Sequence, residues 1–462
     1  MNIKALEIRL GSRRIGLLFQ FAPDAGAVIN RFVADEDVAR DPNLPIVSLS
    51  WRAQSPQEQV MFWRDVYSQA FNGKLAKDGQ SWFLPAFFQN LLPEGVFRNQ
   101  LAWARKCEPN DHFELLAACG KDLPGNIYAL PIELSRIELG RLITQNADAL
   151  EMTVTADPLD DGVSLSGFQP KLGVIKEGER FVGRTKDDDS HIIAKLPVGG
   201  YALLPEVEAL SLQLAHVAGV NVCEAYLAPL SQLAAQHEYE LGDIRQETNF
   251  LAVNRFDRTS GTRIQCEDFA QVFGVMPEDK YSLDYSYLQV AAVLLSYPSL
   301  GTPAVMELLR RIMVNEMLGN PDMHLKNIGL CYPGDGSTPQ LSPAYDIVAH
   351  TIYTPGGGHG LRILPESFEP TSLADEKSDK ARRRQLSLTP NVLRIFCNAL
   401  DMPGPAAIKA VSDCVVAAVK HWPGIIEQSR LAQSQKEKLL ACIYKHPAVQ
   451  GVMRRNPSLL KV

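Results

Sequence analysis

No Cys-x-x-Cys pair and no Cys/His ligand spacing occurs in the 462 residues, and the eight cysteines (Cys107, Cys119, Cys223, Cys266, Cys331, Cys397, Cys414, Cys442) are scattered. That speaks against a zinc site of the usual spacing and against a disulfide framework, and predicts reduced thiols in a reducing compartment. Long apolar runs are missing too: the longest, around residues 288–296, falls far short of the roughly 20 residues that cross a bilayer. The start, Met1-Asn-Ile-Lys-Ala-Leu-Glu, has no basic segment followed by an apolar one, so the expectation is a cytoplasmic protein with no membrane association. Positive charge is not in excess. Lys and Arg number 46 against 53 Asp and Glu, a net charge of −7, which removes a chain-wide electrostatic footprint for nucleic acid and leaves any such role to a local patch or a partner. Internal repeats and low-complexity tracts are absent as well. What is present is ordinary: 46% hydrophobic and 21% charged residues, in a chain long enough for about two to four structural units.

Residues 4–10 and 15–21 alternate apolar and polar positions around Gly11-Ser-Arg-Arg and predict a hairpin. The spacing of Val60, Trp63, Val66 and Tyr67 predicts a helix over 55–70, with Ser55 at its N-cap and Pro56 in its first turn; a second helix is expected over 111–118, stopped at Gly120. Asp157-Pro-Leu-Asp-Asp-Gly reads as a linker. Short strands follow at 172–175, 179–182, 192–196 and 250–255. Between the last two, a helix after Leu204-Pro205 turns Val207, Leu210, Leu214 and Val217 inward and ends at Gly219. Strands, one helix and more strands predict an antiparallel sheet with a single helix laid on it. From Asp268 onward the pattern is mostly helical, interrupted by a strand–turn–strand over 328–341 that turns at Pro333-Gly-Asp-Gly. The expected units are 1–150, 151–258 and 259–462.

The stretch Asn320-Pro-Asp322-Met-His324-Leu-Lys326-Asn327 crowds chemistry into one loop, after a helix over about 304–318 that Gly319 and Pro321 stop. A carboxylate there can orient an attacking hydroxyl or take its proton, and an Asn amide oxygen five residues on can ligate a hard cation such as Mg²⁺. A second acid, Asp346, lies 24 residues after Asp322, beyond the expected hairpin. Asp, Asn at +5, hairpin, Asp is the order of the catalytic base and two metal-binding side chains in protein kinases. The same loop also reads as a polar stretch capping two helices. Upstream, Lys195 lies in a predicted strand and Glu208 follows 13 residues later on the first turn of a helix. In kinases a strand lysine so placed binds nucleotide phosphates and is held by a helix glutamate, although a solvated edge-strand lysine fits the spacing too. Ser164-Leu-Ser-Gly167-Phe-Gln169-Pro-Lys171 precedes a strand and can form a phosphate-covering turn, but it matches neither G-x-G-x-x-G nor the Walker sequence. Gly356-Gly-Gly-His-Gly360 opens no helix after a strand, and is read as a flexible loop with His359 incidental. Lys380-Ala-Arg-Arg-Arg384 is read as a solvated basic run that can also contact phosphate, and His112 and His216 as structural.

Taken together, Phe88-Gln-Asn-Leu-Leu-Pro-Glu-Gly95, Ser164 to Lys171, His191-Ile-Ile-Ala-Lys195-Leu-Pro, Asn254-Arg-Phe-Asp-Arg258, Glu267-Asp-Phe-Ala-Gln271, Asp322 to Asn327 and Tyr345-Asp346 run over nearly the whole chain. In this the sequence resembles the HipA family of serine/threonine protein kinases, the toxin halves of bacterial toxin–antitoxin pairs. The resemblance implies an α+β, bilobal protein-kinase-like fold with an added N-terminal α+β subdomain and a mostly helical C-terminal lobe. It further implies Asp322 as the catalytic aspartate with His324 and Lys326 beside it, Asn327 and Asp346 as Mg²⁺ ligands, and Lys195, held by Glu208, on the ATP phosphates. Arg255 and Phe256 match the hinge that receives adenine, Gly167, Gln169 and Lys171 the phosphate loop, and Ser164 (or Ser166 nearby) the serine whose autophosphorylation ejects that loop. Phosphoserine carries about −1.5 to −2 charges, so repulsion of nucleotide phosphates is a physical cause for ejection. Two positions depart from the family pattern: Asn254 stands where a glutamate is common, and Cys266 where a glutamine often precedes Glu-Asp. The implied target is a translation component such as glutamyl-tRNA synthetase or another aminoacyl-tRNA synthetase. The implied partner is a HipB-like helix-turn-helix antitoxin, which would carry most of the contact to operator DNA. The competing readings are a kinase of small molecules or lipids and a catalytically silent co-repressor.

Overall fold

The computed structural model describes residues 2–22, 28–75, 82–142, 151–160, 162–165, 167, 169–184, 188–237, 239–242, 244–259, 261–354, 357–368 and 386–456. Strands β1 (Asn2–Leu10) and β2 (Arg13–Ala22) form the expected hairpin about Gly11, whose φ of +60° suits glycine. With β3 (Ile29–Ala34) and β4 (Ile127–Pro131) they make a sheet of order β3-β2-β1-β4, and β5 (Glu151–Met152) runs parallel to the start of β1. One face buries Leu6, Ile8, Leu18 and Phe32 against an aromatic cluster in which Trp51 and Phe87 lie 4.7 Å apart. The first helix is shorter than its periodicity suggests. Ser55 and Glu58 form a capping box at its start, but it ends at Arg64, where Asp65 accepts the Tyr67 N–H at 3.0 Å and turns the chain.

The second sheet contains β6 (Lys171–Glu177), β7 (Arg180–Gly183), β8 (Ile192–Lys195), β9 (Ala225–Pro229) and β10 (Asn249–Asn254) in the order β7-β6-β8-β10-β9. Every pairing in it is antiparallel, and the helix Leu204–Val217 lies on it with Val207, Leu210 and Leu214 buried. Strand β9 is the one the pattern did not predict, and its alternation is mostly half-exposed. A small hairpin, β11 (Arg258–Thr259) and β12 (Thr262–Arg263), leads into β13 (Gln265–Asp268), which pairs with β14 (Gly329–Tyr332) and through it with β15 (Gln340–Leu341). Below them, helices Tyr287–Ser296, Pro390–Ala399, Gly404–Gln428, Gln433–Lys445 and Pro447–Arg455 gather around Gly301–Leu318, the most buried of them. The Trp422 indole N–H donates to the Leu214 carbonyl at 2.9 Å and ties this helical lobe to the helix on the sheet.

The stretch read as a linker is pinned. Arg105 donates to the carbonyls of Ala156 and Asp157 at 2.7 and 2.6 Å, Leu159 N–H to Ala118 at 3.0 Å, and Arg184 to the carbonyls of Asp160 and Gly162 at 3.0 and 3.2 Å. The N-terminal portion grips both lobes. Asp122 accepts from the Ser190 N–H and hydroxyl at 3.1 and 2.6 Å beside the upper sheet. Toward the helical lobe, Gln271 donates to the Phe87 carbonyl at 3.1 Å, and Glu267 accepts from the Ser48 hydroxyl at 2.5 Å and the Leu49 N–H at 2.8 Å.

Candidate active site

The helix Gly301–Leu318 stops because Gly319 takes a left-handed conformation, φ +62°. The loop beyond is held by polar side chains: Asn320 donates to Asn315 at 2.7 Å and accepts the Asp322 N–H at 3.2 Å. A single helical turn, Leu325–Asn327, brings Asn327 round so that its NH₂ donates to the Asp322 carbonyl at 2.8 Å. Spacing alone could not fix that bond. It sets Asp322 and Asn327 relative to each other and leaves the Asn327 amide oxygen as an acceptor. The phenol of Tyr281 donates to the Asp322 carboxylate. Burial pushes the Asp322 carboxyl up, Tyr281 works against this, and nearby Asp346 adds to the rise.

Asp346 sits at φ +54°, a conformation that Asp tolerates better than most residues. Its carboxylate accepts from Lys195, whose amine also donates to Glu208 at 2.5 Å. Burial works to lower the Lys195 amine, but Asp346 and Glu208 overcome it and hold the lysine charged. Burial likewise works to raise Asp346, and Lys195 followed by Lys171 brings it down to about 2. Glu208 is pushed up by burial against the pull of Lys195, and Lys171 is pushed down by burial. The strand lysine is therefore no solvated edge residue. It is the buried centre of a charge cluster that joins the sheet, the helix and the Asp346 loop.

Two cavities meet at this cluster. The first, of about 160 Å³, is largely apolar and is lined by Leu165, Ile193, Cys223, Val253, Phe256, Leu330 and Tyr345. The second, of about 400 Å³, is the polar chamber, named for the ionisable and amide side chains in its wall, Gln169, Asp322, His324, Asn327 and Asp346, beside Gly167. Lys171, Lys195, Glu208, Lys326 and Asp346 line both. Two adjoining cavities that share two lysines and an ionised carboxylate, the first with Ile193, Val253, Phe256 and Leu330 in its wall, suit a ligand with a flat apolar head and an anionic tail. Gly167, at φ +94°, lies so close to the Lys171 amine that a Cβ would stand 2.8 Å from it, and Gln169 donates to the Leu196 carbonyl at 3.1 Å. The Asn327 oxygen and the Asp346 carboxylate form a hard-oxygen pair of the kind that holds Mg²⁺ when phosphate oxygens complete the set.

The remaining expected residues among those described also line the two cavities, with partners that the sequence did not indicate. Arg255 is among the residues lining the first cavity, and its guanidinium is committed to Asp122 at 2.8 Å, to both oxygens of Asp257 at 3.0 and 2.9 Å and to the Ser190 hydroxyl. What residues 254–256 offer is backbone edge and the Phe256 ring, 5.7 Å from Tyr345. Asn254 donates to Glu224 at 3.0 Å, so a carboxylate from a neighbouring strand end supplies the acid absent from position 254. Cys266 stands opposite Cys331 in the register of β13 and β14, and both are free thiols. The Lys326 amine is engaged by the N-terminal unit and the strand end: it donates to the Asn90 carbonyl and side chain at 2.9 and 3.1 Å and to Asp268 at 3.1 Å. His324 stays in the polar chamber, pushed down to about 3 by burial and then by Lys280, and is therefore neutral at ordinary pH. Ser164 lines the apolar chamber rather than the one that holds Asp322; its N–H donates to the Asp122 carbonyl at 3.1 Å and its hydroxyl to Leu91. Ser166 and the run Lys380 to Arg384 lie outside the described residues.

His359 is not incidental. It is buried, 3.0 Å from Glu316, which His446 meets at 3.0 Å from the other side. Next to it, Gly360 abuts the Met323–His324 backbone so closely that a Cβ would lie 2.5 Å from the Met323 carbonyl carbon. Sequence reasoning passed over Tyr281 and Lys280 and gave Tyr345 no role beyond its place in the motif, where its hydroxyl donates to the Lys326 carbonyl at 2.8 Å. Tyr281 lies 41 residues before Asp322, with no spacing rule to connect them.

A five-stranded upper lobe, a helical lower lobe and this cleft define a bilobal, protein-kinase-like α/β protein with an added N-terminal unit. The chain belongs to the HipA family: its HipA N-terminal domain spans residues 6–130 and its HipA-like C-terminal domain residues 163–422. It is 36% identical over 308 residues to "Putative kinase Y4dM" of Sinorhizobium fredii, covering 66% of this chain and 72% of that one. With "Putative kinase Y4mE" of the same organism it shares 30% over 288 residues, 58% of this chain and 64% of that one. In fold it is similar to a chain of the Shewanella oneidensis complex of HipA, HipB and operator DNA. The TM-score is 0.64 at 20% identity, with 97% of this chain and 99% of that chain covered.

Proposed function

We propose that the chain is an ATP-dependent serine/threonine protein kinase, a HipA-type toxin that modifies itself at Ser164 and arrests growth by phosphorylating a translation component such as an aminoacyl-tRNA synthetase. The observation that carries the reading is Lys195 held between Glu208 and Asp346 in the same wall as Asp322 and Asn327. In this reading adenine enters the apolar chamber against residues 254–256, and Lys195 and Lys171 meet the phosphates. Asp322 orients the acceptor hydroxyl and takes its proton as the oxygen attacks the terminal phosphorus and ADP leaves. Mg²⁺, held by Asn327 and Asp346, would neutralise phosphate charge. Positioning and electrostatics of this kind are most of what phosphoryl transfer asks of a protein.

Ser164 is buried and its hydroxyl is bonded to Leu91, so a phosphate on it would break that bond and set a double charge in the chamber wall, which favours expulsion of the serine. The natural partner is a helix-turn-helix antitoxin of the HipB type, carrying the basic surface for operator DNA that a chain of net charge −7 lacks. The chain is read as three units, 1–150, 151–258 and 259–462, working in the cytoplasm. Incubating the purified chain with labelled ATP and Mg²⁺ tests the proposal. Label should appear on Ser164, Asp322→Asn should cut transfer about 10³-fold, and its expression should spare growth. An Asp322→Asn chain as active and as toxic as the parent would overturn the reading. Robust turnover of a small acceptor with no labelled protein would instead favour a small-molecule kinase.

A further inference from the structure

The segment Phe88 to Gly95 belongs to the N-terminal unit, yet it reaches the catalytic loop at several points. Asn90 donates to the Val275 carbonyl at 2.7 Å, and Glu94 pairs with Lys280 at 2.8 Å, so the stretch between Val275 and Lys280 is held at both ends. The same two residues flank Lys326, through the Asn90 contacts and through Glu94 at 3.8 Å. Directly after Lys280 comes Tyr281, whose phenol donates to Asp322 and whose ring stands perpendicular to His324 at 4.6 Å. The Leu325 N–H donates to the Lys280 carbonyl at 3.4 Å, which adds a backbone link between the two segments. Glu94, Lys280, Tyr281 and Asp322 all line the polar chamber.

We propose that Glu94 is a positioning residue for phosphoryl transfer: through Lys280 it holds Tyr281 against Asp322, so that the base is aligned only while the N-terminal unit is docked. This rests on the kinase reading above. The phenol fixes one carboxylate oxygen and with it the rotation of the side chain, which leaves the other oxygen for the acceptor hydroxyl. A carboxylate free to rotate spends less of its time in the reactive orientation, and the loss falls on turnover rather than on nucleotide binding. The nucleotide is instead held by Lys195, Lys171 and the apolar chamber, none of which Glu94 touches.

The test uses the full chain as enzyme and the full-length Asp322→Asn chain as phosphate acceptor, with ATP and Mg²⁺. Glu94→Gln and Tyr281→Phe should each lower kcat about 10-fold with the KM for ATP unchanged. Because the two act in series, the double variant should be no slower than Tyr281→Phe alone. Lys280→Arg should recover most of the rate lost in Lys280→Met. A double variant about 100-fold down, a loss confined to the KM for ATP, or Glu94→Gln at the parent kcat would each refute the role. Should Glu94→Gln fold poorly, Tyr281→Phe and the Lys280 pair distinguish the same outcomes. Asp322→Asn run as enzyme separates the two levels. If it turns over like the parent, the kinase reading fails; if it is inactive while Glu94→Gln is not impaired, only the positioning role fails.

Discussion

Replacing Glu267 by Gln tests the join between the N-terminal unit and the helical lobe. Glu267 is buried in β13, where it accepts from the Ser48 hydroxyl, the Leu49 N–H and the Tyr332 hydroxyl. Burial pushes its carboxyl up from 4.5 to about 7, and these three donors only partly offset the rise. A carboxyl raised on folding favours the protonated native state. Its contribution is therefore complete below about pH 4.5 and is lost as the pH rises through about 7. At about 1.4 kcal/mol per pH unit, the gap between 4.5 and about 7 corresponds to about 3 kcal/mol of stability forfeited by pH 8. Glutamine keeps the shape and one acceptor oxygen but does not ionise. The melting temperature of Glu267→Gln relative to the parent should thus climb between pH 5 and pH 8. At about 2.1 cal/mol/K per residue, the 462 residues unfolding as one unit translate about 3 kcal/mol into about 3 °C. Calorimetry at half-unit pH steps would measure it. A difference that stays flat across that range, or a variant that loses ground as the pH rises, would refute the reasoning.

Three further outcomes are expected. Arg255→Ala leaves Asp122 and Asp257 short of a buried partner and should cost about 3–5 kcal/mol in denaturant unfolding; a loss of ATP affinity at unchanged stability would contradict the placement of its side chain. Gly360→Ala pushes a methyl into the Met323–His324 backbone, which cannot yield as a side chain end would. Transfer should drop at least about 10-fold while the far-ultraviolet spectrum is kept, and parent-like activity would show that the catalytic loop is not braced there. Lys195→Met should abolish nucleotide-dependent stabilisation in a thermal melt with ATP, since the remaining Glu208 and Asp346 repel phosphate; a melt that still shifts with ATP would count against its role.

Much of the fold was legible because its signals are local. The hairpin at Gly11, the helix Leu204–Val217 and the strand that carries Lys195 follow from periodicity and stop residues within each segment. That Lys195, Glu208, Asp322, Asn327 and Asp346 gather around one cavity was expected from their order in the chain, which follows the succession of parts in protein kinases. Tertiary pairing was not legible. An arginine next to a hinge and a lysine inside a catalytic loop look like ligand-binding groups, yet Arg255 and Lys326 satisfy buried acceptors on the N-terminal unit, at Asp122 and Asn90. His359 was misjudged for the same reason, since its partner Glu316 lies 43 residues earlier on a helix and the second histidine 87 later. The end of the first helix was missed because one Asp side chain turns the backbone where the apolar spacing would have continued.

The grip of the N-terminal portion on both lobes bears on how cargo gets in and out. Nucleotide could exchange by the two lobes swinging apart, but here Asp122 is bonded to Ser190 above and to Arg255 and Arg258 at the crossing, while Asn90 and Glu94 hold the catalytic loop below. A swing would have to break several buried ionic contacts at once, at several kcal/mol each. In the walls of the two cavities Ser164 is held by its N–H to the Asp122 carbonyl at 3.1 Å and its hydroxyl to Leu91, and Gln169 by its amide to the Leu196 carbonyl at 3.1 Å. A chain clamped in this way exchanges its ligand without parting the lobes, so the N-terminal unit sets how wide the cleft opens.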